Sequence, residues 1–468
     1  MADGRAKWFG DWVWALLLAA LLIAAILIYL LIKALTPNPP PPPPSFASTP
    51  PADVAIPKGI SSGLVPYFDD YSWRMFVAMV WPADPNNRGA PKPGSSLDDP
   101  GPRVFETYAA EWQTFQPKGA KPAPWGVNVA APTCPLADLA KGDLVLLGFS
   151  KFGEFAQARG PGGPAGPLIA QNQTPVRYAV AYNRIEYDHI RDRGLYLKVN
   201  LGSGPLPGPP SPHGSILVKS AWMDMAGVPK PERYYQRAAW VRDLLVQGCV
   251  KKTVGLVGLH IVQKTPTRPQ WIWSTFEHVD NIPDSAITPG GPFAFHDGTN
   301  KPMPANNPYG LPPSPFAQPF NVERIHPIAA DTLALNRSWG AALAARNSVW
   351  RNYRLVMTQW PTHPNQRLGP TDPSATTPPG KETAKTLTTF SNSTLETFEQ
   401  RDVAGSGCIS CHGNTEFETD FTFSILINAY GPPSPVGAVD PSAAALGRLR
   451  AALASAHAAN ASARPASP

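Results

Sequence analysis

"VGLVGLHIVQKT" (Val254–Thr265) and "WIWSTFEHVD" (Trp271–Asp280), joined by "PTRPQ", decide the fold. β-branched and aromatic residues crowd both sides of a proline-bearing turn, which reads as an antiparallel hairpin. The pair carries two histidines, His260 and His278. If the turn centres on Thr267, residue 260 lies opposite 274 and residue 256 opposite 278. Both imidazoles then share a face, about 13 Å apart at roughly 3.3 Å per residue. His260 has apolar neighbours on both sides, which implies burial, and a buried imidazole needs a partner. His278 adjoins Glu277 and Asp280.

Outward from the hairpin, "DLVLLGFS", "RYAVAYN" and "GSILVKSAWMDM" read as further strands. "DDYSWRMFVAMVWP" has apolar residues at helical spacing and stops at Pro82. "TLALNRSWGAALAARNSVWRNYRL" is the longest helical pattern of the body and runs into "VMTQWP", read as a last strand. The expectation is an α+β fold with an antiparallel sheet core, helices and long Pro-rich loops, in one domain over residues 53–430.

The 468 residues are 43% hydrophobic, ample for a sizeable core, and 58 are proline, far above the usual share of about 5%. The formal charge is +6, but it is spread over both ends and the body, which has no dense Lys/Arg run. Nucleic-acid binding wants a clustered basic footprint and is excluded as a reading.

"GSGCISCHGN" (Gly405–Asn414) contains Cys408-x-x-Cys411-His412, the attachment sequence of a c-type haem. Two thiols at this spacing add to the haem vinyl groups as thioethers, and the adjacent imidazole becomes the proximal iron ligand. A thioredoxin-like pair wants a βαβ context. Here the motif follows "SNSTLETFEQRDVAGSG", a helical pattern with a capping box from Ser393 to Glu396, ended by Gly405. A zinc site wants a second Cys or His pair, and none is near. The expected cofactor is one covalently bound haem c on a C-terminal attachment helix. Cys134 and Cys249 are the remaining cysteines and form a candidate disulfide in an oxidising compartment.

No methionine follows His412, and His457 is the only later histidine. A sixth iron ligand must therefore come from upstream, or be absent. His260 is the first candidate and His278 the second. Body methionines such as Met75 and Met79 stay open as well, although an i, i+4 pair is ordinarily core.

Residues 1–12 read as a short cytoplasmic N-terminus. Val13–Ile32 are twenty uncharged residues, enough at about 1.5 Å each to span a bilayer, so 13–35 read as a retained signal anchor. Residues 36–52 form a polyproline spacer and 431–468 an Ala/Pro-rich flexible tail. Haem c attachment occurs across the bacterial inner membrane, so the body is expected in the periplasm.

"YSWRMFVAMVWP", "VGLVGLHIVQKTPTRPQWIWSTFEHVDN", "VWRNYRLVMTQWP" and "CISCH" together resemble bacterial exported monohaem proteins of the kind labelled "cytochrome c family protein". The resemblance covers most of residues 65–430 and implies roles only for Cys408, Cys411 and His412. It brings no reaction with it. Two functions follow as expectations. One is electron transfer between periplasmic or membrane redox partners. The other is a haem-dependent oxidoreductase with a displaceable sixth site and an acid/base residue drawn from His260, His278 or Glu277.

Overall fold

The computed structural model describes residues 14, 16–27, 38–131, 134, 142–149, 167–203, 207–243, 248–283, 293–298, 319, 321–324, 326–361, 392–397, 408 and 412–431. Cys411, Gly405 and the tail from 432 lie outside the described residues.

Strand β6 (Gly248–Thr265) has 18 residues, long enough to take three partners. β5 (Gln236–Asp243) pairs with its first half, while β4 (Ile216–Asp224) and β7 (Arg268–His278) pair with its second. β3 (Arg177–Tyr182) extends the sheet from β4, and the short β1 (Ala109–Ala110) from β3. β8 (Tyr353–Gln359) lies on β7, and β2 (Leu144–Leu146) lies parallel to β5. The expected all-antiparallel core is thereby corrected: this is a mixed α/β fold with a curled, mixed, eight-stranded sheet. The reason lies in β2. All three of its residues are buried, so its apolar run marks a strand without indicating direction. It reaches β5 from a distant part of the chain, so no hairpin forces antiparallel pairing.

Beyond the helical residues 14 and 16–27, the α-helices are α1 (Val65–Met79), α2 (Glu111–Thr114), α3 (Arg184–Asp192), α4 (Ala330–Ala344), α5 (Glu416–Thr419) and α6 (Phe423–Asn428). α4 ends well before the expected Leu355. Asn347 adopts φ 54°, and the Asn347 and Ser348 amides donate back to Ala344 and Leu343. This is the left-handed stop that asparagine tolerates. Ser348 then caps a 3-10 turn at Val349–Asn352 that leads into β8.

A further expectation is corrected. No helix among the described residues is long and apolar enough to cross a membrane. The expected C-terminal attachment helix falls on residues 408–412, of which Cys408 and His412 are helical and 409–411 lie outside the described residues. After His412 the chain forms a 3-10 turn (Gly413–Thr415) and the short helices α5 and α6.

One face of the sheet packs on α1 and α4. Trp73 stacks on Trp339 with centroids 5.6 Å apart, and Phe76 stacks on Phe276 at 4.5 Å. A short polar seam runs through this core. Ser72 Oγ lies 2.7 Å from both Ser274 Oγ and Thr358 Oγ1. Asp69 accepts from Thr332 and Thr358 hydroxyls at 2.7 Å each.

Burial pushes the Asp69 carboxyl up to about 7. An acid whose folded pKa exceeds its unfolded value holds extra protons only in the folded state. Its stabilising contribution is present below about 4 and lost as pH rises through about 7. We expect Asp69→Asn to flatten the decline in unfolding free energy between pH 4 and 7, measured by urea denaturation. A slope equal to that of the unaltered protein would refute the assignment.

Candidate functional site

Cys408 and His412, the described residues of the C-x-x-C-H stretch, lie against the other face of the sheet. His412 Nδ1 lies 2.6 Å from the Phe421 carbonyl oxygen. A carbonyl only accepts, so Nδ1 carries the proton and the lone pair of the neutral ring sits on Nε2. The ring is wedged between Trp273 (4.3 Å between centroids) and Phe423 (5.1 Å). Cys408 is half-buried against the cluster that includes Val262, Trp271, Trp273, Phe421 and Ile425.

Residues 412–421 are closed into a loop and pinned to the strands. Phe421 N donates to Thr415 O at 3.3 Å, and Thr415 Oγ1 donates to His412 O at 3.0 Å. Asp420 is the anchor. Its Oδ2 accepts from Lys264 Nζ at 2.5 Å and from Ser211 N at 2.9 Å, while its carbonyl accepts from Trp271 Nε1 at 3.0 Å.

The same spot concentrates backbone strain. Trp271, Asp420 and Phe421 have φ of 71°, 49° and 70°. Aspartate visits this region at modest cost, but a tryptophan and a phenylalanine there are genuine outliers, at roughly 1–3 kcal/mol each. The surrounding hydrogen bonds over-determine the geometry, and that geometry aims the Phe421 carbonyl at His412.

His260 is buried on this same face. It lies opposite Thr275, and its Nε2 is 3.0 Å from Glu396 Oε2. Two positions along the strand, Val262 lies opposite Trp273, the indole that touches His412. Residues 392–397 cover Gly258 and His260. A Cβ on Gly258 would approach Thr394 Oγ1 within 2.2 Å, so only glycine admits the segment here. Residues 393–397 form turns where a capped helix was expected, and the rest of that expected helix lies outside the described residues. Asn392 Oδ1 accepts from Thr394 N and Leu395 N, and the Asn392 backbone amide donates to Glu396 Oε2 at 3.1 Å.

The structure does not bring His278 to this site. The observed register sets Gly258 opposite Glu277 and His260 opposite Thr275, one residue away from the register centred on Thr267. An irregularity between Gln263 and Thr265 causes the slip, and a one-residue slip flips a strand's side chains to the other face. His278 therefore points into the opposite side. It stacks on Tyr234 at 3.8 Å, its Nε2 donates to Arg233 O at 3.1 Å, and its Nδ1 accepts from Asp280 N at 3.1 Å. Burial lowers its pKa to about 4. Glu277 is fully buried against Arg324 and Arg354 and accepts from Ser393 N, which holds its carboxyl below the usual range despite burial. It fastens the 392–397 segment and is no acid/base candidate. Met75 and Met79 are buried in the α1 core.

Cys134 and Cys249 are joined by a disulfide, with Cα atoms 5.1 Å apart. Among the described residues, no group of three or more His, Cys, Asp or Glu side chains could by itself hold a metal ion. The donor set of Cys408, Cys411 and a His412 whose lone pair sits on Nε2 nevertheless suits a haem tethered by thioethers and ligated by one imidazole. The sequence pattern left Asp420 and Lys264 unmarked as site residues, and noted Trp271 only as one of several tryptophans of core or haem-pocket type. Nothing in a single lysine, aspartate or tryptophan signals that they meet.

No protein-family model, curated protein or solved structure matches the chain.

Removing one partner of a buried ion pair costs about 3–5 kcal/mol, because the other charge is left uncompensated. We expect Lys264→Met to destabilise the fold by about that amount and Lys264→Met/Asp420→Asn to recover part of it, read by urea denaturation as a double-mutant cycle. A strictly additive cycle would disprove the coupling.

Proposed function

We propose that this chain is a c-type monohaem protein of the periplasm that transfers single electrons between redox partners. The observation that carries the reading is the His412 tautomer. An imidazole whose Nδ1–H is held by the Phe421 carbonyl presents a basic Nε2 in a fixed direction, as an axial ligand must. Cys408 and Cys411 would hold the macrocycle, and bound haem supplies the one-electron couple. Val262, Trp273 and Ile425 line an apolar surface beside the ligand, which keeps water from it. The Cys134–Cys249 disulfide accords with an oxidising, exported location. The resemblance to cytochrome c family proteins agrees with this reading.

A specific observation favours a second reading. His260 Nε2 is engaged by the Glu396 carboxylate, the arrangement of an oriented acid/base imidazole rather than of an axial ligand. A haem enzyme with an open sixth position would use this pair on bound substrate.

Cys408→Ala/Cys411→Ala is expected to abolish haem staining on a denaturing gel, and full retention would refute the attachment. Absorption and EPR spectra then separate the two readings. Six-coordinate, low-spin iron in both redox states is expected of the carrier. High-spin iron that binds cyanide readily would overturn the carrier. In that case, a pH–rate profile shifted by Glu396→Gln would identify His260 as the acid/base group.

A further inference from the structure

On the reverse of the same strands lies a cavity of about 440 Å³, within the range of small-molecule sites. Its floor is built from Ala179 and Ala181 of β3 with Val218 and Ser220 of β4. Ala179 lies opposite Ser220, and Ala181 opposite Val218. Elsewhere this face is filled by tryptophan and phenylalanine, so the two alanines leave the space and make the floor flat. Trp112, Phe105 and Trp222 contribute aromatic surface to the lining.

The polar lining defines what fits. Every charged side chain that lines the cavity already has a protein partner. Arg88 donates to Thr107 O, Tyr108 O and Gln113 Oε1. Glu106 accepts from Arg237 and from the Tyr235 hydroxyl. Asp143 accepts from Trp240 Nε1 at 2.9 Å, and Asp84 from Asn86 N at 2.9 Å. Glu106 and Asp143 are paired with Arg237 and Lys251. Among the described residues, Arg88 and Asp84 meet only neutral groups and are of opposite sign, so the lining presents no net charge to a ligand. Hydrogen-bond donors are different. Trp112 Nε1, which can only donate, is buried with no partner among the described residues. The Ser220 hydroxyl, on a residue only 4% exposed, accepts from Trp222 Nε1 at 2.9 Å and so keeps its own O–H as a donor.

We propose that this cavity binds an uncharged, flat aromatic molecule bearing carbonyl oxygens, of the quinone type, against Ala179 and Ala181, with Trp112 and Ser220 donating to its carbonyls. The site is independent of the haem reading. It nevertheless sits back to back with that site, because β3 turns Ala179 and Ala181 to the cavity while Val180 and Tyr182 join the cluster around Cys408.

The test uses the purified full chain titrated with 2,3-dimethyl-1,4-naphthoquinone, followed by tryptophan quenching and calorimetry, with 2,3-dimethylnaphthalene as the carbonyl-free control. The quinone is expected to bind at least about fivefold more tightly than the control, since two hydrogen bonds contribute about 0.5–1.5 kcal/mol each. Ser220→Ala and Trp112→Phe should each weaken quinone binding by roughly 3–10-fold and leave the control unchanged. Ala181→Leu should abolish binding of both probes while circular dichroism and haem staining stay unaltered. If Ala181→Leu fails to fold, the two donor variants carry the test alone. Equal affinity for both probes, absence of quinone binding, or full binding by Ala181→Leu would each overturn the proposal. None of these outcomes bears on haem staining, so failure here is distinguishable from failure of the haem assignment.

Discussion

The hairpin of β6 and β7 sets one residue of register by an irregularity between Gln263 and Thr265, and the two faces of the sheet are sorted by that residue. Ser274 and Phe276 face α1, where Ser274 meets Ser72 and Phe276 meets Trp73 and Phe76. Trp271 and Trp273 then face the other way and form the bed for the haem motif. His260 goes with them and His278 does not. Shifting the pairing by one position would put two tryptophans into the α1 core and take Ser274 from its hydroxyl partners, so the register is strongly specified.

Two segments distant in sequence are held on that bed by different means. Residues 392–397 are fixed mainly by buried polar groups: Glu277 with its two arginines, Asn392 bonded to Thr275 and Phe276, and Tyr178 donating to Thr394 O. Residues 412–421 carry two backbone positions at positive φ, with Trp271 strained beneath them. Charge-assisted hydrogen bonds contribute about 1.5–3 kcal/mol each, comparable with the roughly 1–3 kcal/mol per strained residue. The Lys264–Asp420 and Ser211–Asp420 contacts are therefore of the size needed to offset the strain at Phe421.

Period-2 apolar runs and turn residues made β3, β4, β6, β7 and the existence of the hairpin legible in the sequence. The direction of β2 was not, because a fully buried three-residue strand has no alternation to read. The face assignment of His278 was not either, since it turns on an irregularity one residue long in a turn already crowded with proline and threonine. The "SNST" stretch was read as a helix start, whereas its described residues make turns held by the Asn392 side chain. The Asp420–Lys264–Trp271 anchor left no signal, because it joins residues about 150 positions apart.

A curled sheet with both faces covered separates two environments by little more than the thickness of its backbone. On one face, Val180 and Tyr182 belong to the cluster around Cys408. On the other, Ala179 and Ala181 form the floor of a cavity whose charged residues are all engaged. Alternation along a single strand therefore couples the two. Any change of pairing that moved β3 by one residue would carry alanines to the haem-motif face and fill the cavity with a valine and a tyrosine. The Asn183 side chain opposes such a slip. It caps α3 through Glu186 N, accepts from Ile216 N and donates to Gly214 O, and so locks the end of β3 against the start of β4.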